Sequence, residues 1–137
     1  MRIDFHDACL RHFDDAERLF EVQRWANADH LFGISVECGL KCLMAAFGMK
    51  MEGDRPAEKA DRVHTNRIWE RYEAYRSGHG QGAHYALGAD GNPFQNWDIN
   101  QRYVHQGEFD HPYIAPHRAA AQEIRGLLKR AERDGFL

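Results

Sequence analysis

The stretch Ala28–Phe47, ADHLFGISVECGLKCLMAAF, decides the fold. It is apolar on nearly every side, and such a helix belongs either to the middle of a protein core or to a membrane. Glu37 and Lys41 interrupt it, so it falls short of the ~20 uninterrupted apolar residues a membrane span requires. The reading is therefore a central, buried helix of a bundle, capped by Asn27 and ended by Gly48. Glu37 and Lys41 stand four residues apart in the favourable order. Inside so apolar a helix they are partly buried and must find partners. Gly33, Ser35, Gly39, Cys42 and Ala46 form a stripe of small residues where a neighbouring helix can approach closely.

Working outward, Asp4 caps a first helix that runs to about Gln23. Phe5, Cys9, Phe13, Ala16, Leu19 and Phe20 recur along it at three- and four-residue steps. The connection Arg24-Trp25-Ala26-Asn27 is short, which makes these two helices antiparallel neighbours. Residues 49–63 mix charges with Gly and Pro and read as a loop. A third helix opens at His64 or Thr65 and runs to about Arg76. Residues 77–93 hold five glycines and read as a long loop, and residues 94–104 fit either a short extended or a helical segment. Pro112 and Pro116 precede the last helix, which ends near Arg133 before Gly135. Its core stripe is Ala120, Ala121, Ile124, Leu127, Leu128 and Ala131. The expected architecture is all-α: one domain over 1–137, an up-and-down antiparallel bundle of about four to five helices, with a loop-rich insertion at about 49–93.

Bulk properties narrow the function. A chain of 137 residues can bury a core that needs no disulfide or metal. The formal charge is 18 − 21 = −3, so any nucleic-acid site has to be a local patch, or one completed by a second copy. Three cysteines, Cys9, Cys38 and Cys42, show no paired framework and read as core thiols. No basic segment followed by an apolar run opens the chain, and the expectation is a cytoplasmic protein with no membrane partner.

Chemistry is sparse. There is no H-E-x-x-H and no C-x-x-C, and no metal or cofactor is expected. His79 and His84 flank glycines, while His105, His111 and His117 are spaced six apart, which does not stack them on one helix face. Ser35 and Ser77 lack a nucleophile context, and the G-x-G-x-G within 78–82 lacks a preceding strand. Arginine with histidine remains. Cleaving RNA without a metal takes a group of near-neutral pKa to move the 2′-hydroxyl proton and a cation to steady the phosphate. Arg102 with His105, and Arg24 with His30, are the pairs to consider.

The run Arg24-Trp25-Ala26-Asn27-Ala28-Asp29-His30-Leu31-Phe32-Gly33, continuing through Glu37 to Lys41, resembles the helix-turn-helix core of HEPN-type proteins. Trp97, Arg102-Tyr103 and the alanine-rich last helix resemble the same family, so that the likeness covers about 10–48 and 94–134. The resemblance implies a helical bundle that pairs into a homodimer. It also implies metal-independent RNA cleavage, or RNA or nucleotide binding, in a toxin–antitoxin or defence setting. Active members carry an Arg followed after four to six residues by His near the start of a late helix. Here Arg102 is followed by His105 and His111, with two and eight residues between, and Arg24 and His30 have five between them. On this reading Arg102 binds phosphate and His105 or His111 acts as acid–base. Two alternatives stand beside it. One is a non-catalytic, antitoxin-like accessory subunit that docks a protein partner through an aromatic surface of Trp69, Tyr72, Trp97 and Tyr103. The other is a small-molecule or metal-dependent enzyme using the histidines of 77–117.

Overall fold

In the computed structural model, which describes residues 1–88 and 90–137, four α-helices carry the core. They are α1 (Phe5–Glu21), α2 (Trp25–Ala46), α3 (Thr65–Ser77) and α4 (His111–Arg133). Helix accounts for 66% of the chain, so the protein is an all-α bundle. Among the described residues no helix is long and apolar enough to cross a membrane. The insertion contains a two-stranded antiparallel hairpin, β1 (Met51–Glu52) with β2 (Arg55–Pro56). Short 3₁₀ turns sit at Lys59–Asp61, Gly82–Tyr85, Ile99–Tyr103 and Gln106–Glu108.

α2 is the central helix. Phe32, Val36, Leu40, Leu43 and Met44 are fully buried. Ser35 donates to the Cys9 carbonyl at 2.8 Å, which ties α2 to α1. Gly39 faces α4, where an added Cβ would lie 2.5 Å from Ile124 Cγ2. The glycines of the small-residue stripe serve different neighbours, because Gly33 admits the Trp97 indole rather than a helix. Lys41 and Glu37 pair at 2.7 Å, and the second Glu37 oxygen meets His64 Nδ1 at 2.9 Å.

α1 and α2 alternate in direction, as their short link requires. The long connection from 47 to 110, carrying α3, then takes the chain back to the end where α2 begins. α4 therefore runs antiparallel to α1, with Glu17 on Arg118, Asp14 on Arg125 and His6 on Glu132. It runs alongside α2 in the same sense, with His117 on Asp29 and Ile124 near Gly39. Arg118 and Arg125 do not line a solvent face. Their guanidinium groups lie over the rings of Phe20 and Phe13, at 4.2 and 4.7 Å.

Two helix starts differ from the sequence reading. α2 begins at Trp25, before Asn27, and no side chain caps it. The chain reverses instead at Val22–Arg24. The Gln23 amide donates to the Phe20 carbonyl at 3.0 Å and the Arg24 amide to that of Leu19 at 2.9 Å, a Schellman closure. Gln23 takes φ 60° there, in the left-handed region that favours glycine. α4 begins at His111 and includes both prolines. Pro112 falls in the first turn, where its missing N–H costs nothing. Pro116 lies one turn further in and loses only the single bond to the Pro112 carbonyl.

Candidate functional site

The segment 94–110 folds over the beginning of α2, and this brings the two arginine–histidine pairs to one end of the bundle. Asp98 starts its first 3₁₀ turn: its carboxylate accepts from the Asn100 amide at 2.7 Å, and Gln101 completes a capping box. Arg102, Tyr103, Val104 and His105 follow, all exposed. Asp110 then caps α4, accepting from the Tyr113 amide at 3.0 Å.

Between the start of α2 and this segment lies a cleft of about 300 Å³, walled by Arg24, Trp25, Asn27, Val104, Gln106 and Gly107. Arg24 is the one charged residue in its lining. The first turn of α2 has neither a capping side chain nor an acid, so its amides and the positive end of its dipole face this cleft uncompensated. Val104 also walls a second cleft of about 460 Å³, which holds Asp98 and Glu108. The lining of the first cleft carries one cation and no acid, and that of the second two acids and no cation.

The histidines divide sharply. His105 Nδ1 accepts from the Gly107 amide at 3.1 Å, so that nitrogen is used in starting a 3₁₀ turn. The His111 ring packs on Phe20 and Trp25, at 5.5 and 5.8 Å between centroids. His30 is different. Its ring stacks on Trp97 at 5.7 Å, and its Nδ1 is enclosed without a hydrogen-bond partner. Burial, and secondly the charge of Arg102, hold the His30 pKa below the ordinary value of 6.5. It is therefore mainly neutral at pH 7, with Nε2 as the nitrogen left to exchange a proton. The charge of Arg102 thus acts on His30 although 72 residues of sequence (102 − 30) separate them.

Beneath this surface lies a polar network that sequence reasoning missed. His117 Nδ1 meets Asp29 Oδ1 at 2.6 Å, and both residues are buried. Gln101 donates to the other Asp29 oxygen at 2.7 Å, and the Trp97 indole N–H to the Asp29 carbonyl at 3.1 Å. His117 Nε2 lies 2.9 Å from the Asn96 side-chain oxygen, and Phe94 stacks on the imidazole at 4.5 Å. A signal existed. His117 continues the α4 core stripe back by three residues from Ala120, and Asp29 precedes Phe32 and Val36 by three and seven. The network fixes the loop that carries Arg102; its Asp29–His117 centre is buried, while Asn96 and Gln101 reach the wall of the second cleft.

Other candidates resolve differently. The proposed aromatic docking surface does not exist as a surface: Trp69, Tyr72 and Trp97 are buried in the core, and Tyr103 alone of the four is exposed. These rings face inward because each lies on the side of its element that packs against α2 or α4. Among the described residues no three His, Cys, Asp or Glu side chains gather in a way that would hold a metal. His79 packs on Phe47 and Phe136. Burial pushes the thiols up, Cys9 to about 11 and Cys38 and Cys42 to about 12, so they stay protonated and poorly nucleophilic.

What the fold and site define together is an all-α bundle with a small cationic cleft and a neutral histidine at one end. Comparison with protein-family models, with curated proteins and with solved structures finds no match to this chain.

Proposed function

We propose that this end of the bundle binds the phosphate of RNA or of a nucleotide, with Arg24 and Arg102 as the phosphate-holding cations. One observation carries the reading: a cleft whose sole charged lining residue is Arg24 lies between the start of α2 and the loop that follows Arg102, and the charge of Arg102 also reaches His30. The HEPN likeness of the Arg24–Lys41 run supports the same ligand class. For cleavage, His30 replaces His105 and His111 as the preferred base. It is mainly neutral at pH 7 and feels the charge of Arg102, whereas His105 Nδ1 is used in a turn and the His111 ring packs on Phe20. Pairing of two copies would place a second such set nearby and raise the local density of cations, although each chain carries a net charge of −3. The accessory-subunit alternative loses most of its support with the burial of three of its four aromatics.

The test is RNA binding and cleavage in excess EDTA by the protein and its Arg24→Glu, Arg102→Ala, His30→Ala and His105→Ala variants. Weaker binding in both arginine variants is expected, and loss of cleavage in Arg102→Ala and His30→Ala but not in His105→Ala. Folded protein that binds no RNA or nucleotide would overturn the reading. Binding without cleavage in any form would confine it to recognition.

A further inference from the structure

Tyr103 is 77% exposed, far more than any other aromatic ring in the core or on its margin. The Arg102 guanidinium lies 4.9 Å from its ring centroid, so one face is covered by a cation and the rest of the ring stands in water. The exposed apolar side chains Val22 and Val104 adjoin the same cleft. Val104 is in its wall, and Val22 precedes Gln23, which also lines it. Single exposed apolar residues are ordinary on a protein surface. An aromatic ring with a guanidinium on one face, beside a cationic cleft, is a more specific arrangement. It offers a π surface to a flat partner at the place where a phosphate would be held.

We infer that Tyr103 is a stacking platform for an unpaired base, which makes the site selective for single-stranded over double-stranded nucleic acid. This rests on the reading that the adjacent cleft binds phosphate. Unpaired bases can splay out and stack on aromatic rings and guanidinium planes, while the bases of a duplex present only their edges. Stacking is tolerant of base identity, since every base has a π face, so the preference is for strandedness rather than sequence. Charge complementarity points the same way: Arg102 covers one face of the ring, Arg24 lines the cleft that the next residue, Val104, walls, and the acids Asp98 and Glu108 lie in the cleft on the other side of Val104.

Fluorescence anisotropy with short labelled single strands of RNA and of DNA, and with an RNA hairpin of matched length whose loop is a non-nucleotide linker, tests this. The proteins compared are wild type, Tyr103→Ala, Tyr103→Phe and Arg24→Glu. Tyr103→Ala should weaken single-strand binding about tenfold, which corresponds to about 1.4 kcal/mol and lies within the range for one stacked base. Tyr103→Phe should keep the affinity, because stacking does not use the hydroxyl. Hairpin binding should be equal in the wild type and both Tyr103 variants. Stacking ignores the sugar, so the loss factor should be the same on RNA and DNA. Binding that depends on Arg24 but is unchanged in Tyr103→Ala would sink the platform and leave the phosphate cleft standing. An equal loss on strand and hairpin would also overturn it. No binding to any probe by folded wild type would remove the phosphate reading and the platform with it.

Discussion

At the residue scale, the outstanding group is His30. Half-buried on Trp97 with an unpartnered Nδ1, its imidazole resists protonation, first through desolvation and then through the charge of Arg102. A histidine whose folded pKa lies below its unfolded value contributes stability that is full above the unfolded pKa of 6.5 and is lost as pH falls through the folded one. His12 is depressed as well, by burial and then by Arg11, and adds in the same direction. The expected outcome is an NMR titration of His30 with its midpoint below 6.5, moving upward but not fully back in Arg102→Ala, because burial remains. A wild-type midpoint at or above 6.5 would remove His30 from the role of neutral base. None of this was legible in the sequence. Arg24 and His30 stood at a suggestive spacing, but what brings the charge of Arg102 to His30 is a loop folding across α2, and no local pattern encodes that fold-back.

At the element scale, α2 was the most legible part of the chain, since its apolarity specified a central helix whatever surrounded it. Its start was misplaced at Asn27 because a residue with good capping chemistry outweighs Arg24 in any local reading. The chain instead closes α1 through backbone bonds at Gln23, and α2 starts uncapped. The glycines of α2 show how tertiary packing overrides helix propensity. Exchanging a helix-interior Gly for Ala gains up to ~1 kcal/mol of propensity. At Gly33 the added Cβ would fall 2.1 Å from Trp97 Cε2, against a rigid indole bonded to the Asp29 carbonyl and stacked on His30. Overpacking of this kind costs ~1–3 kcal/mol. Gly33→Ala should therefore be destabilising by about 1–2 kcal/mol net. Gly126→Ala on the exposed side of α4, where nothing lies within 4 Å, should be neutral or stabilising. Urea unfolding of the two variants separates them, and equal stabilities would show that Trp97 yields freely.

At the scale of the whole molecule, three chain segments are hydrogen-bonded together through the buried Asp29 network: α2 by Asp29, the 94–101 segment by Asn96, Trp97 and Gln101, and α4 by His117. The helices themselves could be read from periodicity, but a buried acid and a buried histidine 88 residues apart could not be matched without knowing that α4 lies along α2 in the same sense. That shared direction is a consequence of the long connection, which the sequence showed as one short helix between loops with no direction assigned. Because the segment holding Arg102 and Tyr103 hangs on this network, its stability and the geometry of the cleft are coupled. His117→Ala leaves the Asp29 carboxylate buried with Gln101 as its one remaining side-chain partner. Leaving a buried polar group without its partner costs about 1–3 kcal/mol, and more where the stranded group is charged. Asp29→Ala with His117→Ala together should then cost clearly less than the sum of the two single changes, since neither group is left stranded. Denaturant unfolding of the two singles and the double measures this coupling directly. Additive losses would mean that the two side chains are held independently, and that the loop is positioned by Phe94 and Trp97 packing alone. A large coupling would make the network the element that holds the candidate site in place, and the single variants should then also weaken RNA binding although neither side chain reaches the cleft.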